Sequence, residues 1–337
     1  MLPAGLHPAL QGQILSGDRF YDAITLTSAP CRIIELSVDF GLHKEGILEM
    51  SSADQGFVCH PGERYEMPIV FGPTELPQVS QWGYLRALDI SFVTDPVAVR
   101  PLIPVELDLP EQPTVIISRR SFDQVDYLAG HGYEELCVGI SVIHNGEEGT
   151  TRGNFWPVMW VDQVRPITVG REFTGFAKLG ADFSPIRDES GDLSWEMSEY
   201  GTLLARGTVR NAKPVDDVAL EKIAQAGSIG YAFCSRYIPP VVNSPGVDDV
   251  TRCEMRSKIT SVQVGEGELE LFSPSWKDAP NGARAMTALA SLPILQLRRA
   301  MVIEGSSSFD RSTITALPRT RSLRSATTAV AASGSAR

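Results

Sequence analysis

The chain has 337 residues, 43% of them hydrophobic, enough to bury a sizeable core in one large domain or two smaller ones. A formal net charge of -11 excludes a general nucleic-acid binder, whose surface must neutralise phosphates, and no basic block interleaved with aromatics interrupts the body of the chain. The five cysteines, Cys31, Cys59, Cys137, Cys234 and Cys253, are odd in number and widely spaced, which fits reduced intracellular thiols rather than a disulfide framework.

The opening Met1–His7 lacks a basic region followed by an apolar stretch of signal-peptide length. No run approaches the roughly 20 apolar residues that cross a bilayer, so a cytoplasmic protein without a membrane partner is expected. Residues 1–79 read as an N-terminal extension with short strands, among them Cys31–Val38 and Met67–Phe71. Cys59-His60 is a single adjacent pair with no second pair, and the histidines show no ligand spacing, so no metal is expected.

From about Gly83 the pattern becomes β-rich. Leu88–Val93 and Thr114–Ser118 have strand length and composition, and a short helix lies between them. Thr94 or Asp95 caps that helix, Pro96 suits its first position, and Pro101 discourages its continuation. Asp216–Ala226 begins acidic, carries apolar residues at helical spacing and meets Gly227, which predicts an amphipathic helix. Lys258–Phe272 alternates apolar and polar residues on both sides of a Gly-Glu-Gly and is expected to form a hairpin with one buried face. A further helix is expected over Ala283–Leu292, covering an open edge or mouth of the sheet. Residues 305–337 turn to Ser, Thr, Ala and Arg, with five arginines against the single acid Asp310, and are expected to be a disordered tail.

Lys178 carries the strongest chemical signal. It is one of only six lysines, in the run Val169-Gly-Arg-Glu-Phe-Thr-Gly-Phe-Ala-Lys-Leu-Gly180. Burial against such small and apolar neighbours lowers a lysine pKa and frees the amine to attack a carbonyl carbon. On local composition alone the commoner explanation is a lysine whose stem covers apolar surface while its head reaches water. Glu135 and its neighbour Glu134 are candidates to move protons or orient substrate, since a carboxyl in an apolar pocket can be tuned toward neutral pH. His131 and His144 flank the acidic segment and are weaker catalytic candidates. No glycine-rich nucleotide loop and no Gly-x-Ser-x-Gly elbow occurs.

The lysine run resembles the acetoacetate decarboxylase superfamily, whose Gly-Arg-Glu segment precedes its Schiff-base lysine at the same spacing. Thr94–Leu107 looks like the family's early helix and following proline, and Gly132–Glu135 like its acidic active-site segment. Val158–Asp162 resembles the strand before the lysine, and Arg252–Val262 with Leu269–Phe272 a late strand pair. The resemblance spans residues 80–304, taken as the catalytic domain. It implies an α+β, β-rich fold: a closed or nearly closed antiparallel β-barrel-like core around an apolar cavity, with a few short helices. It also implies Lys178 as nucleophile, Glu135 as its acid, a small-molecule β-keto acid as substrate, no metal or organic cofactor, and a homo-oligomer. Arg86, Arg120, Glu134 and Phe176 complete the expected site as substrate-binding residues, with Arg86, Arg119 or Arg120 to hold the substrate carboxylate by a bidentate contact, and Arg171 with Glu172 is expected to form a buried pair that positions the lysine strand. Leu179 stands where the family's type enzyme has a second lysine. That departure points to a larger β-keto acid, such as a polyketide or secondary-metabolism intermediate. Schiff-base aldol condensation or dehydration of a 2-oxo acid, and noncatalytic binding of an apolar small molecule, are the alternatives.

Overall fold

Alternation of apolar and polar side chains dominates the middle of the chain, and the computed structural model, which describes residues 56–318, joins the resulting strands into one 14-stranded sheet. Cys31–Val38 lies outside the described residues. Met67–Phe71 is not a strand: Pro68 lacks an amide for a ladder, and the chain makes a single 3-10 turn over Ile69–Phe71. Strand β1 (Val79–Val93) leads into helix α1 (Pro96–Val99). Asp95 accepts the amides of Val97 and Ala98, and Pro96 takes the first helical position, as the sequence predicts.

Strands β2 (Thr114–Val125), β3 (Tyr133–Gly146) and β4 (Gly149–Val161) follow as an antiparallel meander. Helix α2 (Val164–Val169) and a wide π-helical turn over Gly170–Thr174 deliver the chain to β5 (Lys178–Gly180), which runs parallel to β4. The short β6 (Asp182–Phe183) and β7 (Arg187–Glu189) both pair with β8 (Asp192–Glu199), itself paired with β9 (Thr202–Pro214). Helix α3 (Asp217–Ala226) starts at Asp216, which caps the amide of Ala219, and leads to β10 (Ile229–Ile238). The long β11 (Val247–Leu271), helix α4 (Ala283–Ala290), β12 (Gln296–Leu297), β13 (Ala300–Asp310) and β14 (Thr315–Leu317) complete the order.

The sheet closes on itself. The order β4-β3-β2-β1-β13-β11-β10 returns to β4 through a parallel contact at Ala232–Asn154 and Phe233–Phe155. This is the expected barrel-like core, antiparallel except where β5 and β10 meet β4.

Three expectations are corrected. Lys258–Phe272 is no hairpin, and the expected late strand pair is one strand: β11 runs straight through it, pairing with β13 and then with β9. Its glycines serve close approach rather than a turn, since a Cβ on Gly265 would stand 2.3 Å from the Arg210 carbonyl oxygen. The tail does not begin at Gly305. Gly305–Asp310 is the second half of β13, clamped between β1 and β11, and β14 pairs with β11 beyond it. Serines at 306–308 look like linker composition but sit in a ladder whose pairing comes from backbone groups. Residues 319–337 lie outside the described part.

Side-chain parity divides the interior in two. On β3, Leu136, Val138, Ile140 and Val142 join a core with Trp195, Leu204, Met286 and Leu289 from the β8–β9 wing and α4. Residues of the other parity, Tyr133 and Cys137, join Trp82, Phe122, Trp156, Met159 and Phe309 in a second cluster, which walls a cavity inside the ring. Helix α4 therefore packs on the first core rather than over the cavity. No helix among the described residues is long and apolar enough to cross a membrane.

Candidate active site

The cavity has a volume of about 380 Å³, and its wall brings together four residues singled out in the sequence: Lys178, Glu135, Arg120 and Phe176. Their convergence follows from strand register. Arg120 on β2 stands directly opposite Glu135 on β3, and Met159 on β4 stands opposite both Cys137 and Lys178. Cross-strand partners point to the same face, about 4.5–5.5 Å apart at Cβ, so the ladder alone sets these side chains side by side.

Lys178 reaches the cavity because the preceding turn makes room. The amide of Phe176 bonds back to the carbonyl of Gly170, and Thr251 Oγ donates to the carbonyl of Thr174, fixing the turn against β11. A Cβ on Gly170 would stand 2.9 Å from Lys178 Cδ and 3.1 Å from Cε, so the glycine of the Gly-Arg-Glu run is the slot in which the lysine stem lies. The next residue, Arg171, donates from Nη1 to the Lys178 carbonyl at 2.9 Å. It is exposed, and no ion pair joins it to Glu172, so the expected buried pair is absent and Arg171 supports the strand through its backbone instead.

The Lys178 ammonium lies 2.8 Å from Glu135 Oε2, with only 7% and 5% of the two side chains exposed. Oε2 has no further hydrogen-bond partner among the described residues, which leaves it available to another donor. Oε1 accepts the Cys137 thiol at 2.7 Å. Around the ammonium stand the rings of Tyr133 and Phe176, 5.5 and 5.8 Å away.

Burial is the largest single influence on Lys178 and pulls its pKa down, but Glu135, Tyr127 and Cys137 together reverse it, and the net direction is up. Burial likewise pushes Glu135 up, and Lys178 with Arg120 turns it below the usual carboxylate value. The sequence expectation of a lysine lowered by apolar neighbours and a glutamate tuned upward is therefore corrected for the resting protein. The two form a charged pair, because the partner each needs is within contact distance.

Arg120 donates from Nε to Ser118 Oγ at 2.9 Å and lies over the Trp156 ring at 5.1 Å. Ser118 in turn donates to Asp89 Oδ1 at 2.5 Å. Asp89 lines the same cavity, and burial raises its pKa against the opposing effects of Arg120 and Ser118. Asp89, Ser118, Cys137 and Tyr133 were missed in the sequence. Asp89 alternates with Leu88, Ile90 and Phe92, the pattern of a solvent-facing side chain, so the run carries no local signal, and only closure of the sheet buries it.

Other expected residues lie elsewhere. Arg86 pairs with Glu304 at 3.5 Å outside the cavity, because its neighbours Leu85 and Ala87 take the inward positions on β1. Glu134 has the opposite parity to Glu135 and pairs instead with Arg119 and Ser121. Arg119 is buried in that outer layer, with its guanidinium 4.6 Å from the Phe183 ring centre. Arg86 and Glu134 are thus removed from the substrate-binding set. His131 and His144 do not line the cavity either, His144 packing on Phe233. Leu179, one position from Lys178, faces the first core and not the cavity. No cluster of three or more metal-ligating side chains occurs among the described residues.

A family model, that of acetoacetate decarboxylase (ADC), matches residues 66–316. The acetoacetate decarboxylase of Burkholderia vietnamiensis is 28% identical over 227 residues, covering 65% of this chain and 82% of the relative. The crystal structure of acetoacetate decarboxylase from Legionella pneumophila superposes with a TM-score of 0.59 at 20% identity, covering 73% of this chain and 92% of that one. The enduracididine biosynthesis enzyme MppR, complexed with pyruvate, gives 0.58 at 15% identity, with 77% and 98% covered. At these identities the two structures speak for the fold alone.

Proposed function

This chain belongs to the acetoacetate decarboxylase family, and we propose that it decarboxylates a β-keto acid through an imine on Lys178. The observation that carries the reading is the Lys178–Glu135 contact of 2.8 Å inside a cavity that also holds Arg120.

Arg120 takes the substrate carboxylate, and the ketone carbon then lies against Nζ. Binding expels water, and in that drier site the charged pair gives way to neutral amine and carboxylic acid as the proton passes from Nζ to Oε2. The amine attacks the carbonyl carbon. Glu135 returns its proton to the oxygen and then relays a second one to it from the nitrogen, so the oxygen leaves as water and a protonated imine remains. The electron pair of the bond to the carboxylate moves into that imine, releasing carbon dioxide and leaving an enamine. The enamine carbon takes a proton, and water hydrolyses the resulting imine to ketone and free Lys178. Cys137 steadies Glu135 throughout by its bond to Oε1. The apolar walls leave room for a substrate larger than acetoacetate, of the kind met in polyketide or other secondary metabolism.

One observation favours a second reading. An arginine close to the lysine holds a carboxylate as well as it orients one, which suits a 2-oxo acid that keeps its carboxylate through aldol condensation or dehydration. MppR, of the same fold, is complexed with pyruvate.

Borohydride trapping with a panel of β-keto and 2-oxo acids, peptide mapping and a carbon dioxide assay tests the choice. An adduct on Lys178 with gas release supports decarboxylation, and an adduct without gas supports the second reading. No adduct from folded protein with any acid rejects both, and Lys178→Ala is expected to abolish every adduct.

A further inference from the structure

Arg120 is a cavity cation with no direct ion pair among the described residues; Arg152 lines the cavity without one as well, but it is exposed, whereas Arg120 lies over Trp156. Glu135, opposite Arg120 across the ladder, is in contact with Lys178 instead. The next acid on that face of the ladder is Asp89, two positions along: Ala87 stands opposite Arg120, and Asp89 stands opposite Ser118. Ser118 is fully buried between them, accepting from Arg120 Nε at 2.9 Å and donating to Asp89 Oδ1 at 2.5 Å. A hydroxyl can do both at once, whereas a methyl can do neither.

We propose that Ser118 and Asp89 are positioning residues that keep Arg120 open to the carboxylate of a keto acid. Ser118 occupies Nε and keeps the guanidinium off Asp89, and Asp89 fixes the direction of the serine hydroxyl. The two Nη groups then face the cavity as a planar fork that matches a carboxylate. Trp156 supports the guanidinium plane from one side. Without the serine oxygen, arginine and aspartate are free to join directly in a low-dielectric site, and the fork is consumed by the protein's own acid. The cavity thus selects acids over neutral ketones of the same skeleton. This inference rests on the imine reading of Lys178 and adds to it the device that recognises the acid.

The test compares 3-oxooctanoate with 2-heptanone, which is the same skeleton without the carboxylate. Half-saturation for borohydride-trapped Lys178 adduct is measured for each ligand. Ser118→Ala is expected to raise half-saturation for the acid about 10-fold or more and to leave the ketone unchanged. Adding Asp89→Asn to Ser118→Ala is expected to recover most of the loss, because the competing charge is gone. Ser118→Thr, which keeps a hydroxyl, is expected to behave as wild type, and thermal unfolding checks that every variant folds. Equal weakening of acid and ketone in Ser118→Ala, or no recovery in the double variant, overturns the inference while the imine reading stands. Absence of any wild-type adduct overturns both.

Discussion

Lys178 Nζ and Glu135 Oε2 are 2.8 Å apart in a nearly sealed part of the barrel, and each is the reason the other is charged. Glu135→Gln removes the largest influence that raises Lys178 and leaves burial, which lowers it, dominant. The amine is then free at lower pH than in the wild type. Reductive methylation of Lys178 followed by peptide mapping across a pH series reads this directly, and the expected profile moves toward acid. Turnover is expected to move the other way, falling about 100-fold or more, because no carboxyl remains to carry the proton. A profile that stays put, or moves toward alkali, argues against the pair as the setting of the lysine.

The same contact predicts non-additive stability. Losing one member of a buried ion pair strands the other and costs about 3–5 kcal/mol, whereas losing both removes the stranded charge. Lys178→Ala is therefore expected to be less stable than Lys178→Ala combined with Glu135→Gln, as denaturant midpoints will show. Glu135 is lowered from 4.5, so its contribution is present above that pH and is lost as pH falls through the lower folded value. Lys178 is raised from 10.5, so its contribution is present below that pH and is lost as pH rises through the higher folded value. Between these limits the stability difference from wild type is expected to be flat with pH.

Gly170 separates folding from function. Its backbone, at φ -65 and ψ -42, is one that alanine adopts freely, so Gly170→Ala carries no backbone strain and gains from a less disordered unfolded chain. The new Cβ meets the Lys178 stem at 2.9 Å, and a lysine stem yields more easily than packed backbone. The lysine is displaced, and Nζ leaves its place beside Glu135. The expected outcome is a melting temperature near wild type with Lys178 adduct formation down about 10-fold or more, since small displacements of reacting atoms are costly. A matched loss of both stability and reactivity points to general disruption instead.

The local signals of this chain are reliable where one residue does one job. Asp95 and Pro96 start a helix, Asp216 caps another, and the runs Leu88–Val93 and Thr114–Ser118 are strands, because capping and burial are decided within a few residues. What escapes the sequence is decided by register and closure. Arg86, Arg119 and Arg120 are equivalent on paper, yet parity and the ring send only Arg120 into the cavity. Asp89 and Cys137 become neighbours of that site only once β1, β2 and β3 are laid in their observed pairing. The Gly-Glu-Gly of β11 reads as a turn because glycine serves both chain reversal and close strand crossing, and only the Arg210 carbonyl tells them apart. The ionisation of Lys178 departs from the sequence expectation for the same reason: its sequence neighbours are apolar, but its charged partner is 43 positions away by number, at Glu135.

Leu179 puts that distinction to the test. Read along the chain, it is the position where a second lysine adjoins the reactive one in the family's type enzyme, and Leu179→Lys looks like a restoration of that cation. In the fold, successive residues of β5 face opposite sides, so Lys178 enters the cavity while Leu179 packs against the first core. A lysine there loses the leucine packing and must extend its ammonium out of an apolar layer, at a cost of about 2–4 kcal/mol. Its charge is also kept from the reactive amine by the strand between them. Leu179→Lys is accordingly expected to lower the denaturant midpoint while the pH profile of Lys178 modification stays within experimental error of wild type. If the profile instead moves toward acid at full stability, the added cation reaches the cavity and the two faces of β5 communicate more closely than this packing allows.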